Sequence, residues 1–207
     1  VTTDFDNNPW VITTANESID LKTVTSYEPL KGDFITKQAS VTYNEEAISP
    51  LWDSFVSTIF EQDKEVIQYV QKALGMCLTG DITEQAFFIC YGGGANGKST
   101  LLNTVRKVLG DYAATTSFST FDADNRNEYG NDMAALKGRR FVVAIEAEQN
   151  KKLAEARIKT ITGGDSISCR FLYGEFFEYN PTFKVWLAVN HKPLVRGADH
   201  GIWRRLH

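Results

Sequence analysis

Gly92-Gly93-Gly94-Ala95-Asn96-Gly97-Lys98-Ser99, followed by Thr100, fits G-x-x-x-x-G-K-[ST] at every fixed position. The flanks supply the context that such a match requires. Ala86-Phe87-Phe88-Ile89-Cys90-Tyr91 is a short apolar run with the composition of a buried strand. Leu101, Leu102, Val105 and Leu109 recur at helical spacing, and Gly110 supplies a stop. A strand, a glycine loop and a helix N-terminus form a phosphate cradle, because bare backbone N–H groups and the helix dipole all face the anion. The loop from Gly92 to Thr100 is therefore expected to bind a nucleoside triphosphate. Lys98 would reach the β and γ phosphates, and Ser99 would ligate Mg²⁺.

Downstream, Arg140-Phe141-Val142-Val143-Ala144-Ile145-Glu146-Ala147-Glu148 is an apolar strand ending in carboxylates. A P-loop hydrolase needs such an element: one carboxylate serves the metal shell and the other polarises the attacking water. Spacing alone leaves open whether Glu146 or Glu148 is the base. Phe183-Lys184-Val185-Trp186-Leu187-Ala188-Val189 is a third strand, ending at Asn190, whose amide is suited to sensing the γ phosphate. Asn190-His191-Lys192-Pro193 lacks the spacing and the Asp of a guanine-reading motif, which disfavours GTP. Gly201-Ile202-Trp203-Arg204-Arg205 offers paired arginines for a neighbouring subunit's nucleotide.

The remaining chain divides by composition. Residues 1–48 are polar and turn-rich, with β-like pieces at Trp10-Val11-Ile12 and Ser40-Val41-Thr42-Tyr43 and no recognisable chemistry. Two helices should follow, one with Leu51, Trp52, Phe55 and Ile59 on a face and one with Val66, Ile67, Val70 and Leu74. These set the expected division into a lead-in with a helical collar, 1–80, and an ATPase domain, 81–207, cut short at its C-terminal end. Thr115 to Asn131 reads as a polar, mobile connection. A helix is expected over 151–161, and Ser166 to Tyr179 reads as an aromatic β-hairpin with Gly174 near its tip. Aromatics interleaved with a cation can stack and neutralise single-stranded nucleic acid. Arg170 and Tyr173 are the contact candidates, while Phe176 and Phe177 read as core.

Charge separates along the chain. Residues 1–136 carry 9 Lys+Arg against 19 Asp+Glu, and residues 137–207 carry 13 against 7. An anionic partner therefore belongs with the second half. No apolar run reaches the roughly 18 residues of a membrane helix, no signal peptide is present, and Val1 in place of a start Met reads as an excised fragment. Cys77, Cys90 and Cys169 are too scattered for a zinc knuckle and read as reduced thiols of an intracellular protein.

Taken in order, the loop Gly92–Thr100, Val142–Glu148, Thr162-Gly163-Gly164-Asp165 with Arg170–Phe177, Trp186–Pro193 and Gly201–Arg205 resemble the superfamily 3 helicases, in the branch of phage and plasmid primase-helicases. The resemblance covers essentially the whole chain. It implies an α/β fold: a three-layer P-loop NTPase core, AAA+-like, preceded by a small, mostly helical N-terminal domain. It implies ATP and Mg²⁺ as cofactors, a homo-oligomeric ring (usually of six subunits), and 3′ to 5′ movement on single-stranded DNA at forked duplexes. It further implies an upstream primase domain and a cytoplasmic setting in a bacterial host, with a phage, prophage or plasmid gene. In that family Asn190 would be sensor 1, Arg204 or Arg205 the arginine finger, and the 166–179 hairpin the DNA grip. One departure stands out. Hairpin tips there often carry Lys or His, and this one offers Tyr173-Gly174-Glu175, with Lys159 and Arg170 as compensating cations. The alternative from another class is a nucleotide-gated DNA-binding, replication-initiation or DNA-loading module that does not unwind.

Overall fold

A computed structural model describes residues 5–125, 130–146, 151–197 and 199–207. The chain opens with three short antiparallel strands, β1 (Val11–Thr13), β2 (Ser18–Asp20) and β3 (Thr25–Tyr27). Only the first of the two β-like pieces read from the sequence becomes a strand. Ser40–Tyr43 instead lies along the molecule as irregular chain, its Ser40 N–H bonded to the Val108 carbonyl. Helices α1 (Pro50–Ile59) and α2 (Lys64–Met76) follow, the latter capped by the Asp63 carboxylate. Trp52, Phe55, Ile59, Ile67, Val70 and Leu74 pack on the core as expected, and only the first residue of each expected face departs. Val56, Val70, Ala73 and Cys77 are buried, whereas Leu51 and Val66 face outward.

The centre is a four-stranded, fully parallel sheet of order β4-β9-β6-β5, comprising β4 (Phe87–Tyr91), β5 (Ala113–Ser117), β6 (Phe141–Glu146) and β9 (Lys184–Val189). The connection expected to be mobile from Thr115 thus begins as a strand. A parallel sheet needs cover on both faces, and its strands are correspondingly apolar throughout. One face buries Val142, Ala144, Val185 and Leu187 against α4 (Asn131–Ala134) and α5 (Glu155–Gly163). α5 starts at Glu155, four residues later than the sequence suggested, because Lys152 and Leu153 pair in extended form with neighbouring chain. The other face buries Phe88, Val143 and Trp186 against α1, α2 and α3 (Lys98–Leu109). The first 80 residues share this second core, so no separate core marks the expected boundary at 80. A two-stranded hairpin, β7 (Ile167–Cys169) with β8 (Phe177–Tyr179), and the short α6 (His200–Trp203) complete the chain. No helix among the described residues is long and apolar enough to cross a membrane.

Two cations are buried at the N-terminal ends of the central strands. Arg140 donates to the carbonyls of Leu78, Asn8 and Val11 and lies 4.5 Å from the Tyr112 ring centroid. Lys184, 2% exposed, donates from Nζ to the Thr79 carbonyl at 2.6 Å and the Asp81 carbonyl at 3.0 Å. Burial lowers the Lys184 ammonium from its ordinary 10.5 to about 8. A base whose folded value is depressed binds fewer protons folded than unfolded, so stability rises as pH climbs past that value. Burial pushes the neighbouring Cys77 thiol up to about 11, which acts in the opposite sense above its ordinary 9. Between pH 8 and 9 the Lys184 contribution to the unfolding free energy rises by about 1 kcal/mol, while the raised thiols of Cys77 and Cys90 offset much of it in any variant that keeps them. Denaturant titrations at the two pH values should therefore show the native protein gaining about 1 kcal/mol relative to Lys184→Met; an equal change in both would refute the burial effect.

Candidate functional site: the C-terminal edge of the parallel sheet

β4 runs directly into the glycine loop, and α3 begins at Lys98 with Gly97 as its N-cap. Gly97 has φ +85°, and a Cβ there would fall 2.5 Å from Ile59 Cγ2. Glycine is required on both counts, and α1 thereby packs its last turn onto the phosphate loop. Cβ atoms added at Gly93 or Gly94 would meet nothing within 4 Å, so the mouth of the loop is open to a ligand. Lys98 folds back over this mouth: Nζ donates to the Gly92 carbonyl at 2.7 Å, the Gly93 carbonyl at 3.1 Å and Asn96 Oδ1 at 2.8 Å. Its ammonium is thus aimed at the space a phosphate would fill. Ser99 and Thr100 are exposed in the first turn of α3. This cradle suits an anion. Cys90, one strand residue earlier, is pushed up to about 11 by burial and stays a thiol.

The strand register gathers the other candidates. Val189 pairs with Tyr91 on one side and with Glu146 on the other. Gly92, Asn190 and the end of β6 therefore leave three adjacent strands at one sheet edge. Glu146 is the last residue of β6, while Glu148 lies outside the described residues. Asn190 is exposed at the end of β9. Sequence reading missed one member of this edge: Lys192 places Nζ 4.0 Å from the centroid of the exposed Tyr91 ring. Its signal was its position two residues beyond Asn190 in a loop facing the cradle. Among the described residues no cluster of three or more His, Cys, Asp or Glu could hold a metal ion.

The paired arginines part company. Arg205 is buried, with Nε donating to Thr162 Oγ1 at 2.9 Å and Nη1 to the Gly201 carbonyl. Burial and the adjacent Arg204 both pull its pKa down. Arg204 is exposed and bonded to Gln85 Oε1. The segment 205–207 runs parallel beside β4, its backbone exchanging hydrogen bonds with Phe87 and Ile89. Arg204 therefore sits at the N-terminal end of β4. Gln85 and Gly92 are seven positions apart, an extended length on the order of 20 Å.

In the hairpin, Ile167 pairs with Tyr179 and Cys169 with Phe177. Tyr179 is buried and donates to the Met133 carbonyl at 2.7 Å, which anchors the base. The tip is apolar and open. Tyr173 is 98% exposed with φ +62°, and Phe176, expected in the core, is 65% exposed. The connection between β7 and β8 is too long and too far from the sheet to bury it. Phe177 behaves as expected and packs against the core, stacked on Phe171 at 5.8 Å. Arg170 lies over the Phe176 ring at 4.8 Å. Beside the tip is a cleft of about 840 Å³, lined by Arg157, Arg170, Phe171, Tyr173 and Asn131 among others. Lys159 is bonded to Asp199 rather than facing this cleft.

Comparison with known proteins bears on this arrangement. The model of the Family of unknown function (DUF5906) matches residues 90–205, more than half of the chain and all of the edge just described. The chain belongs to this family. A second model, D5 N terminal like, matches residues 1–61. A candidate helicase of Acanthamoeba polyphaga mimivirus is 32% identical over 148 residues, 70% of this chain and 15% of the relative. One of Invertebrate iridescent virus 3 is 26% identical over 215 residues, 98% of this chain and 22% of the relative. A candidate primase of African swine fever virus is 28% identical over 128 residues, 60% of this chain and 13% of the relative. The apo structure of the NrS-1 C terminal region has a TM-score of 0.61 at 14% identity, covering 77% of this chain and 38% of that one; it shows a shared fold. This DUF5906 chain thus spans less than a quarter of the curated relatives it matches. Together the matches support the resemblance to phage-type primase-helicases. The relatives come from large DNA viruses, so the expected bacterial host gains no support from them.

Proposed function

We propose that this chain is the ATP-hydrolysing helicase segment of a replicative primase-helicase, with a three-layer, AAA+-like P-loop core. The observation that carries the reading is the register of β4, β9 and β6. It brings a phosphate loop, Asn190 and Glu146 to one edge on neighbouring strands. ATP is the proposed nucleotide, since no guanine-reading motif is present, and Mg²⁺ would supply charge neutralisation of the phosphates. Backbone N–H groups from Gly92 to Thr100 would hold the phosphates. Lys98 would exchange its loop carbonyls for β and γ oxygens, Ser99 and Glu146 would complete the metal shell, and Glu146 or Glu148 would orient water. Asn190 would register loss of the γ phosphate. Arg204, at the far end of β4 from its own loop, would complete a neighbour's site in a homo-oligomeric ring. Arg205, held inside its own subunit, suits that role less well. An upstream primase domain in the parent protein, and single-stranded and forked DNA as substrate, are what a replicative role of this kind requires, and the viral relatives are named as helicases and primases.

The decisive experiment measures ATP hydrolysis with and without single-stranded DNA, and strand displacement on a forked duplex, on samples whose assembly is weighed by light scattering. DNA-stimulated hydrolysis with displacement is the expected result. Stimulated hydrolysis without displacement would make the chain a loader, and no hydrolysis in an assembled ring would make it a passive binder.

For DNA contact, Arg170 and Tyr173 are favoured over Lys159, which Asp199 already occupies. Stacking is worth about 1–3 kcal/mol per base. The double variant Arg170→Ala, Tyr173→Ala should therefore weaken binding of labelled oligo-dT roughly ten- to hundredfold while basal hydrolysis stays within about twofold. Equal loss of both activities would assign the hairpin a structural role only.

A further inference from the structure

The segment after Asn190 is fastened to α5 at three points. Glu155 Oε1 accepts from the Arg196 and Gly197 backbone N–H groups, each at 2.7 Å. Lys159 is ion-paired with Asp199. Thr162 Oγ1 accepts from Arg205 Nε at 2.9 Å. Positions 155, 159 and 162 are spaced i, i+4, i+7, so one stripe of the helix carries all three. Just before α5, the Leu153 N–H donates to the Leu194 carbonyl at 3.0 Å and the Leu194 N–H to the Lys151 carbonyl at 2.8 Å. Just after it, Gly164 at φ +84° turns the chain into β7. The same helix is thus tied at its start to the loop leaving Asn190 and at its end to the hairpin.

We infer that α5 is the bar that transmits the state of the nucleotide edge to the hairpin, and that Glu155 is the positioning residue that engages it. This rests on the function proposed above. The contact is specific in shape rather than strong. Two successive backbone N–H groups converge on one carboxylate oxygen, and a Cβ at Gly197 would fall 2.2 Å from Glu155 Oε2. Glycine at 197 lets the loop backbone sit this close with the Glu155 carboxylate in its present position; a side chain there would displace the carboxylate from the two donors. A shift of 196–197 that follows from a rearrangement at Asn190 must either carry Glu155, and α5 with it, or break both bonds. An exposed Lys159–Asp199 pair adds little stability, but it keeps the same register one turn further along.

Hydrogen exchange read by mass spectrometry tests this on the whole chain. In the native protein, a non-hydrolysable ATP analogue with Mg²⁺ should slow exchange in 92–109, in 191–197 and in the 167–179 hairpin. Glu155→Ala should keep the response at 92–109 and lose it at the hairpin. Glu155→Gln, whose amide oxygen still accepts both N–H bonds, should restore it. A hairpin that still responds in Glu155→Ala overturns the inference, and so does simultaneous loss at 92–109, which would mark Glu155 as mere scaffolding. Without nucleotide, Glu155→Ala should also speed exchange in the hairpin, at the other end of α5 from the substitution. If the native protein does not respond to the analogue at 92–109, the ATP reading falls, and this nucleotide-free comparison alone decides the latch: unchanged hairpin exchange refutes it.

Discussion

Lys98→Ala should abolish ATP turnover, with a loss of at least about 10²–10³-fold, the scale for removing one preorganised donor from a charge-stabilising site. The ammonium already points into the cradle, held by Gly92 O, Gly93 O and Asn96 Oδ1. Exchanging those neutral acceptors for phosphate oxygens turns bonds with one ionised partner into ion pairs with both partners charged, which the low-dielectric cradle strengthens. Among the described residues, half-buried Lys98 bonds to its own loop, so the fold should survive, with an unchanged melting temperature as the control. Lys98→Arg should not rescue, because a planar fork does not fit a point-charge position beneath a tight loop. Native-level hydrolysis in Lys98→Ala would leave the nucleotide reading without its basis.

Arg204→Ala should cut hydrolysis in the assembled protein by about 10³–10⁵-fold, the usual contribution of an arginine finger. Here the geometry makes a sharper statement. Arg204 lies beside Gln85, at the opposite end of β4 from the phosphate loop, so the proposed finger would have to act across an interface. Mixing Arg204→Ala with Lys98→Ala should then restore measurable activity, since an intact loop on the first variant meets an intact finger on the second. Absence of complementation together with a mild Arg204→Ala phenotype would sink the assignment. Arg205→Ala should act differently: it removes the buried guanidinium that bridges Thr162 Oγ1 and the Gly201 carbonyl inside the subunit and should lower stability first.

How much of this was legible in the sequence depends on whether a residue's role is local. The phosphate loop, its strand and its helix are read from neighbours in sequence, and they stand where the reading put them. The hairpin was legible for the same reason. Arg204 and Arg205 were not separable, because what distinguishes them is Thr162 on one side and Gln85 on the other, 43 and 119 positions away. Phe176 was misjudged because an aromatic's burial depends on what the tertiary fold brings over it, and the nearby Arg170 guanidinium leaves it 65% exposed. The outward Leu51 and Val66 have the same origin: periodicity finds an apolar stripe, but neighbours choose which side of it is covered. The contact between Glu155 and the 196–197 backbone has no signature in composition at all.

Arg140 and Lys184 carry a consequence for how such proteins are inherited. Two family models divide the chain, one matching 1–61 and the other 90–205, as if two interchangeable modules had been joined. Both cations belong to the second stretch, yet the carbonyls of Asn8, Val11, Leu78 and Thr79 that solvate them precede residue 80. A replacement for the first stretch would have to set carbonyls where those of Asn8 and Val11 stand, or Arg140 would keep Leu78 alone of its three backbone acceptors, an under-satisfied buried charge that costs several kcal/mol. Lys184 is accepted by the linking residues Thr79 and Asp81, so the chain between the two stretches is the part that a change in either one must continue to fit.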